Sequence, residues 1–337
     1  MKFIGYVAIA LLAGSLLLPA QAQDKKDPIT LTNVSYDPTR ELYKDVGEQF
    51  AKYYQSKTGQ RVTVSNSHGG SGAQARAVLG GLKADVVTLA LASDIEALED
   101  RNLIKPGWQA KFPNNSSPYV STIVFLVRKG NPRNVKTWND LTRTDVSVIT
   151  PNPKTSGGAR WNFLAAWGFI TQNGGGEKDA TDFVKKLFER VPVLDTGARG
   201  STTTFVQKKI GDVLIAWENE AILALKEEGG NLLEVVYPEQ TILAEPPVAI
   251  VDKVVDQRGT RAAAEEFIKY LYTDDAQELI AKWGYRPSNA AILEKHKDTL
   301  PPFKKLFTIK DVAGSWREAQ KKFFGDGGVF DQIYQPR

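Results

Sequence analysis

Four times along this chain a strand-length apolar run leads straight into a tight cluster of Gly, Ser, Thr or Asp, and then into a helix-period pattern. The clusters are Ser35-Tyr36-Asp37-Pro38-Thr39, Ser67-His68-Gly69-Gly70-Ser71-Gly72, Thr155-Ser156-Gly157-Gly158 and Thr196-Gly197-Ala198-Arg199-Gly200-Ser201. A strand, a short loop and a helix in repeated order predict α/β layers with largely parallel sheets, the clusters falling at the carboxyl ends of strands. Asp85 to Leu91 and Ser121 to Val127 are apolar runs of buried-strand length. Shorter strands are expected at Thr30 to Val34, Arg61 to Ser65, Val146 to Thr150, Val213 to Trp217 and Val248 to Val251. Between them Leu42, Val46, Phe50 and Tyr53 recur at helical spacing, as do Trp161, Leu164, Ala165 and Gly168. Helices are expected over Ala73 to Lys83, over Ala159 to Gln172, and through Phe205 and Ile210.

A chain of 337 residues is long enough for two domains with separate cores. The first 22 residues stand apart. Lys2 precedes an uncharged apolar stretch from Phe3 to Pro19, and Ala20-Gln21-Ala22 has the A-x-A form of a signal-peptidase site. Cleavage before Gln23 predicts a soluble, exported product, because no later stretch could cross a bilayer. Short Pro-containing passages at Asn114 to Pro118 and Ala244 to Pro247 read as hinges. Residues 23–118 and 249–337 then form one discontinuous lobe and 119–248 the other, with crossings near 114–122 and 244–250. The chain has no cysteine, which removes thiol catalysis, thiolate metal sites and disulfides. With 43 basic against 39 acidic residues and no long Lys/Arg block, nucleic acid is not an expected partner.

The clusters carry the chemistry. A helix N-terminus presents unpaired N–H groups and about half a positive charge. Glycine lets that backbone approach a ligand closely, and Ser or Thr adds hydroxyl donors. Several such ends on one cleft suit a small oxyanion without a metal. In the first cluster Asp37 fits an N-cap, with Pro38 at the first helical position and Glu41 placed to complete a capping box. Trp217 ends a strand, where its indole N–H is a donor without charge. Arg40, Arg76, Arg160 and Arg199 each follow a cluster closely and are expected to be solvated surface or to brace loops rather than grip a ligand.

Other readings compete. Gly70-x-Gly72-x-x-Ala75, with Asp94 downstream, fits a relaxed dinucleotide fingerprint. His68-Gly69-Gly70-Ser71 offers a secreted serine hydrolase a nucleophile, although Ala73 breaks G-x-S-x-G and His296 is the only other histidine. Two distant histidines and no cysteine give no metal-ligand spacing, and no cofactor is expected.

At NVSYDPTREL (33–42), SHGGSG (67–72), ADVVTLAL (84–91), STIVFLVRKGNP (121–132), VITPNPKTSGGARWN (148–162), LDTGARGST (194–202), GDVLIAWENEA (211–221) and LAEPPVAIVDKVV (243–255) the sequence resembles the periplasmic sulfate-binding proteins of bacterial ABC importers. The resemblance runs in one order along essentially the whole of residues 23–337. It implies a type II two-lobed periplasmic binding protein fold of α/β lobes, joined by two crossover strands. It also implies a monomer without enzymatic activity that captures sulfate or thiosulfate and delivers it to membrane permease subunits. Carried over by position, it implies backbone N–H donors at Asp37, Ser71, Gly157, Gly158 and Ala198, hydroxyl donors at Ser71 and Ser156, and the Trp217 indole. The Asp37 carboxylate would turn from the ligand to cap its own helix. Sulfate at neutral pH only accepts hydrogen bonds, whereas hydrogen phosphate also carries a proton that a donor-only site leaves unpaired. Phosphate, molybdate and tungstate remain the rival oxyanions.

Overall fold

β1 (Ile29–Tyr36) becomes buried on both faces over its last four residues, which marks it as an inner strand. The computed structural model describes residues 27–229 and 231–334, so the leader expected at 1–22 lies outside the described residues. β1 is parallel to β2 (Val62–Gly69) on one side and to β3 (Val86–Thr88) on the other. Tyr36 lies opposite Gly69, and Ser35 opposite both His68 and Thr88. The carboxyl ends of these strands are therefore flush, and the segments leading to Asp37, Ser71 and Ala90 leave the sheet side by side. Helix Arg40–Thr58 follows β1, and helix Ser71–Leu79 follows β2.

The second sheet is centred on β4 (Tyr119–Arg128), whose apolar residues are almost entirely buried. Beside it lie β5 (Val148–Ile149), β6 (Val213–Trp217), β7 (Leu233–Val236) and β8 (Gln240–Ala244). β9 (Val248–Ile250) returns the chain to the first sheet, antiparallel to β3. β10 (Arg286–Pro287) pairs with the start of β4, and β11 (Lys305–Phe307) with β8. β5 and β6 are parallel, so the cluster before helix Gly157–Thr171 and the end of β6 at Trp217 face the same way. No described helix is long and apolar enough to cross a membrane.

Three expectations need correction. The second sheet is mixed: β4 runs antiparallel to β6, β7, β8 and β10. β4 carries the chain into this sheet and β8 carries it out, with Ser121 opposite Ala244, so the two crossing strands must oppose one another. Segment 249–337 does not stay wholly with the first lobe. β11 extends the second sheet, and Phe323, Phe324 and Phe330 pack on Phe163, Trp167 and Phe188 of the second lobe. Burying those rings outweighs the simpler path, while Arg317 still ties the tail to Asp100 of the first lobe. Finally, the helices begin at Ser71, Gly157 and Ala198, inside their clusters, and the last ends at Val206, short of Ile210.

Candidate functional site

The early helix starts make the cluster residues themselves the first turns, where N–H groups have no intrahelical acceptor. Ser156 is the N-cap of helix Gly157–Thr171; its oxygen accepts the Ala159 N–H at 3.3 Å and keeps its own proton to donate. Ser71 and Ser156 are fully buried, Trp217 is 1% exposed and Asp37 6%.

The two glycines of this turn show how closely the walls meet. A Cβ on Gly157 would lie 2.6 Å from the Ala90 Cβ and 2.8 Å from the Ser71 Cβ, both on the first lobe. A Cβ on Gly158 would collide with the Tyr36 hydroxyl and come within 3.2 Å of the Trp217 Nε1. On the same wall Gly197 lies against the Asp37 carboxylate. The structure thus brings all seven expected residues, Asp37, Ser71, Ser156, Gly157, Gly158, Ala198 and Trp217, to one inter-lobe cleft. Trp217 Nε1 and the Tyr36 hydroxyl are buried there with no acceptor for their protons.

Charge is handled separately. The Asp37 carboxylate does not cap its own helix. It accepts from Arg40 Nη2 at 2.7 Å and from the Arg199 backbone N–H at 3.0 Å, so it caps helix Ala198–Val206 across the cleft. Asp37, Pro38 and Thr39 form a short buried 3-10 turn. Glu41 makes no capping box: both its oxygens accept from Arg199 at 2.9 Å. Burial raises the Glu41 carboxyl, and the hydrogen-bonded Arg199 guanidinium outweighs it, leaving the group below its ordinary value. Arg199 also bonds Glu220, and Arg160 bonds Asp94 at 3.2 Å and the Pro153 carbonyl at 2.8 Å. Arg40, Arg160 and Arg199 are each bonded to carboxylates, a bracing arrangement, whereas Arg76 is exposed and forms no ion pair with a described residue.

Ser71 departs from expectation in one respect. Its hydroxyl donates to Asp94 at 2.5 Å and accepts the Ala90 N–H at 3.0 Å, so its proton is directed away from the cleft. Asp94 is thereby a bracing group between the lobes and not a ribose ligand. The hydrolase arrangement also lacks its base contact, since Ser71 bonds Asp94 while the His68 Nδ1 has no partner. Burial, followed by the charge of Arg40, lowers the His68 imidazole to about 4. Among the described residues no cluster of three His, Asp or Glu could hold a metal. Sequence reasoning missed Tyr36, hidden because an aromatic at a strand end reads as core, and the partners Glu41 and Glu220, which lie far from Arg199 in sequence.

Two α/β lobes closing on a cleft of helix N-termini define a solute-binding protein rather than a hydrolase. The chain belongs to the bacterial extracellular solute-binding protein family, which it matches over residues 31–286. It is 55% identical over 320 residues to a sulfate-binding protein of Salmonella typhimurium, covering 95% of this chain and 97% of that one. It is 49% identical over 328 residues to a thiosulfate-binding protein of Pseudomonas aeruginosa, covering 97% and 98%. Among solved structures, the sulfate-binding protein SubI from Mycobacterium tuberculosis superposes with a TM-score of 0.78 at 34% identity, covering 91% of this chain and 100% of that one.

Proposed function

We propose that this chain captures sulfate, and thiosulfate as a second ligand, outside the cytoplasmic membrane and delivers it to an ABC-type permease. The observation that carries this reading is the pairing of partnerless neutral donors with fully consumed cations. Trp217 offers a buried N–H with no acceptor, while the guanidinium groups of Arg40, Arg160 and Arg199 are bonded to carboxylates. Such a lining suits an anion held by dipoles in a dry cleft, where each hydrogen bond is strengthened by the low dielectric. The donors are the N–H groups of Asp37, Ser71, Gly157, Gly158 and Ala198, the Ser156 hydroxyl and the Trp217 indole. Ser71 contributes through its backbone alone, its hydroxyl being bonded to Asp94.

Selectivity follows from the same lining. A protonated oxyanion turns one acceptor into a donor, and facing it against an N–H costs about 1–3 kcal/mol for each bond left unmade. Calorimetric titration with sulfate, thiosulfate, phosphate and molybdate is the test, supported by native mass spectrometry for an anion retained through purification. Sulfate is expected to bind one per chain; tight phosphate binding with none for sulfate would overturn the reading. Export by a cleaved leader predicts that the mature protein begins at Gln23, which N-terminal sequencing reads directly.

A further inference from the structure

The Tyr36 hydroxyl is a buried polar atom that no part of this donor set explains. Tyr36 is the last residue of β1, at the carboxyl end that opens on the cleft. It is 1% exposed, and its proton has no acceptor, although the Ser156 hydroxyl and the Gly158 N–H act on the oxygen as donors. Its ring lies 5.2 Å from that of Trp217, centroid to centroid, with the planes tilted by 58°. The polar atoms of both rings converge over Gly158: a Cβ there would meet the Tyr36 oxygen first and the Trp217 Nε1 next. The two rings come from opposite lobes, yet both leave their only donor beside the first turn of helix Gly157–Thr171.

We infer that the Tyr36 hydroxyl donates a hydrogen bond to the bound anion, paired with the Trp217 indole across the Gly158 turn. A buried hydroxyl is retained at a cost unless something accepts its proton, and an oxyanion seated on this turn supplies that acceptor. The phenol stays protonated, as a donor must: burial pushes it well up from its ordinary value, Asp37 and Glu220 add to the rise, and Ser156 and Gly158 oppose it. Like Trp217 it brings a dipole and no charge. It also spans the lobes, so its bond to the anion forms only when the cleft is shut and contributes to keeping it shut.

This inference rests on the proposed sulfate reading, and the test separates the two. Tyr36→Phe deletes one buried hydroxyl whose proton has no acceptor. Sulfate affinity is expected to fall roughly 10- to 100-fold, the loss of one hydrogen bond to a charged group. The thermal midpoint of the ligand-free protein is expected to hold or rise, because a buried hydroxyl without an acceptor has been removed. A merely structural hydroxyl would not give that crossed signature. Unchanged affinity in the variant, with normal sulfate binding by the wild type, overturns the inference and leaves the proposed function standing. A drop in ligand-free stability that accounts for the weaker binding overturns it as well. Failure of the wild type to bind sulfate removes both. The crystal structure of the sulfate-loaded wild type gives an independent check: a Tyr36 oxygen about 2.5–3.0 Å from a sulfate oxygen is expected, and one beyond about 4 Å sinks the inference.

Discussion

The two walls of the cleft are built on different rules. The first lobe brings carboxylates: Asp37, Glu41 and Asp94 all lie on its side and all accept from the second lobe. The second lobe brings the first turns of two helices and an indole, with Arg160 and Arg199 turned to those carboxylates. The first wall therefore latches through its side chains while adding the Asp37 and Ser71 N–H groups to the lining, and the second supplies most of the donors. The difference shows how a cleft can hold charged side chains on both sides and still present a neutral lining, because cations and anions meet each other across the gap and leave the guest to the dipoles. It also implies that damage to the two walls has different symptoms. Latch variants lose stability or closure, and lining variants lose ligand.

The largest effect is expected at the deepest latch. Asp94→Ala leaves Arg160, whose side chain is 6% exposed, without its carboxylate and strips the Ser71 hydroxyl of its acceptor. Breaking a buried ion pair from one side costs about 3–5 kcal/mol. Urea unfolding should show that loss in the ligand-free protein as well as the loaded one. If only ligand binding suffers, Asp94 belongs to the lining and the division of the walls is wrong. Gly158→Ala is the matching blow to the solvating wall. Its Cβ meets the Tyr36 hydroxyl and crowds the Trp217 Nε1, so sulfate affinity should fall about 100-fold or more while stability drops by about 1–3 kcal/mol. Calorimetry and urea melts on the same variant separate the two terms.

Legibility in the sequence followed the range of the physics. β6 was readable residue for residue because VLIAW is a buried run bounded by Asp212 and the turn into Glu218. Gly157 and Gly158 were readable because close backbone approach demands glycine locally. The direction of the Asp37 carboxylate was not legible in the residues and came only from the resemblance: short-range capping chemistry pointed to its own helix, whereas the N–H it accepts is 162 positions along the chain. β11 could not be read from KLF, a stretch exposed at one end and buried at the other, whose pairing with β8 is decided by packing of the tail. Tyr36 and Tyr43 look alike in sequence, both nearly fully buried aromatics. Only three dimensions show that Tyr43 bonds Tyr119 while the Tyr36 proton has no acceptor.

A smaller effect sharpens the comparison at the rim. His68 lies near both arginines and both acids of the latch, with Arg40 and Arg199 lowering its imidazole and Asp37 and Glu41 raising it. Burial dominates, and the folded value of about 4 sits below the ordinary 6.5. Below pH 6.5 the unfolded chain therefore takes up a proton that the folded chain refuses. Stability is lost as pH falls from about 6.5 to about 4, and then levels off for this group. His68→Gln should leave stability at pH 7 unchanged and flatten that decline by about 1–2 kcal/mol in chemical melts across the window. A decline as steep as in the wild type would move the acid sensitivity to another group.

The smallest effect is expected at the outer latch, and it discriminates best between closure and lining. Glu41 and Arg199 are 24% and 26% exposed, and Arg199 keeps Glu220 when Glu41 is gone. Glu41→Gln should therefore cost about 1 kcal/mol or less. That cost falls on the closed form, since Glu41 and Arg199 stand on opposite lobes. Stopped-flow fluorescence should show sulfate leaving a few-fold faster with little change in association. The pH dependence has a defined sign. The Glu41 carboxyl lies below its ordinary 4.5 when paired, so its contribution to closure is full above about pH 4.5 and is lost as pH falls through the lower paired value. Wild-type release should accelerate over that acid range and the Glu41→Gln variant should lack this component. If the variant instead binds sulfate more tightly, Arg199 has been freed to grip the anion, and the neutrality of the lining depends on Glu41 alone.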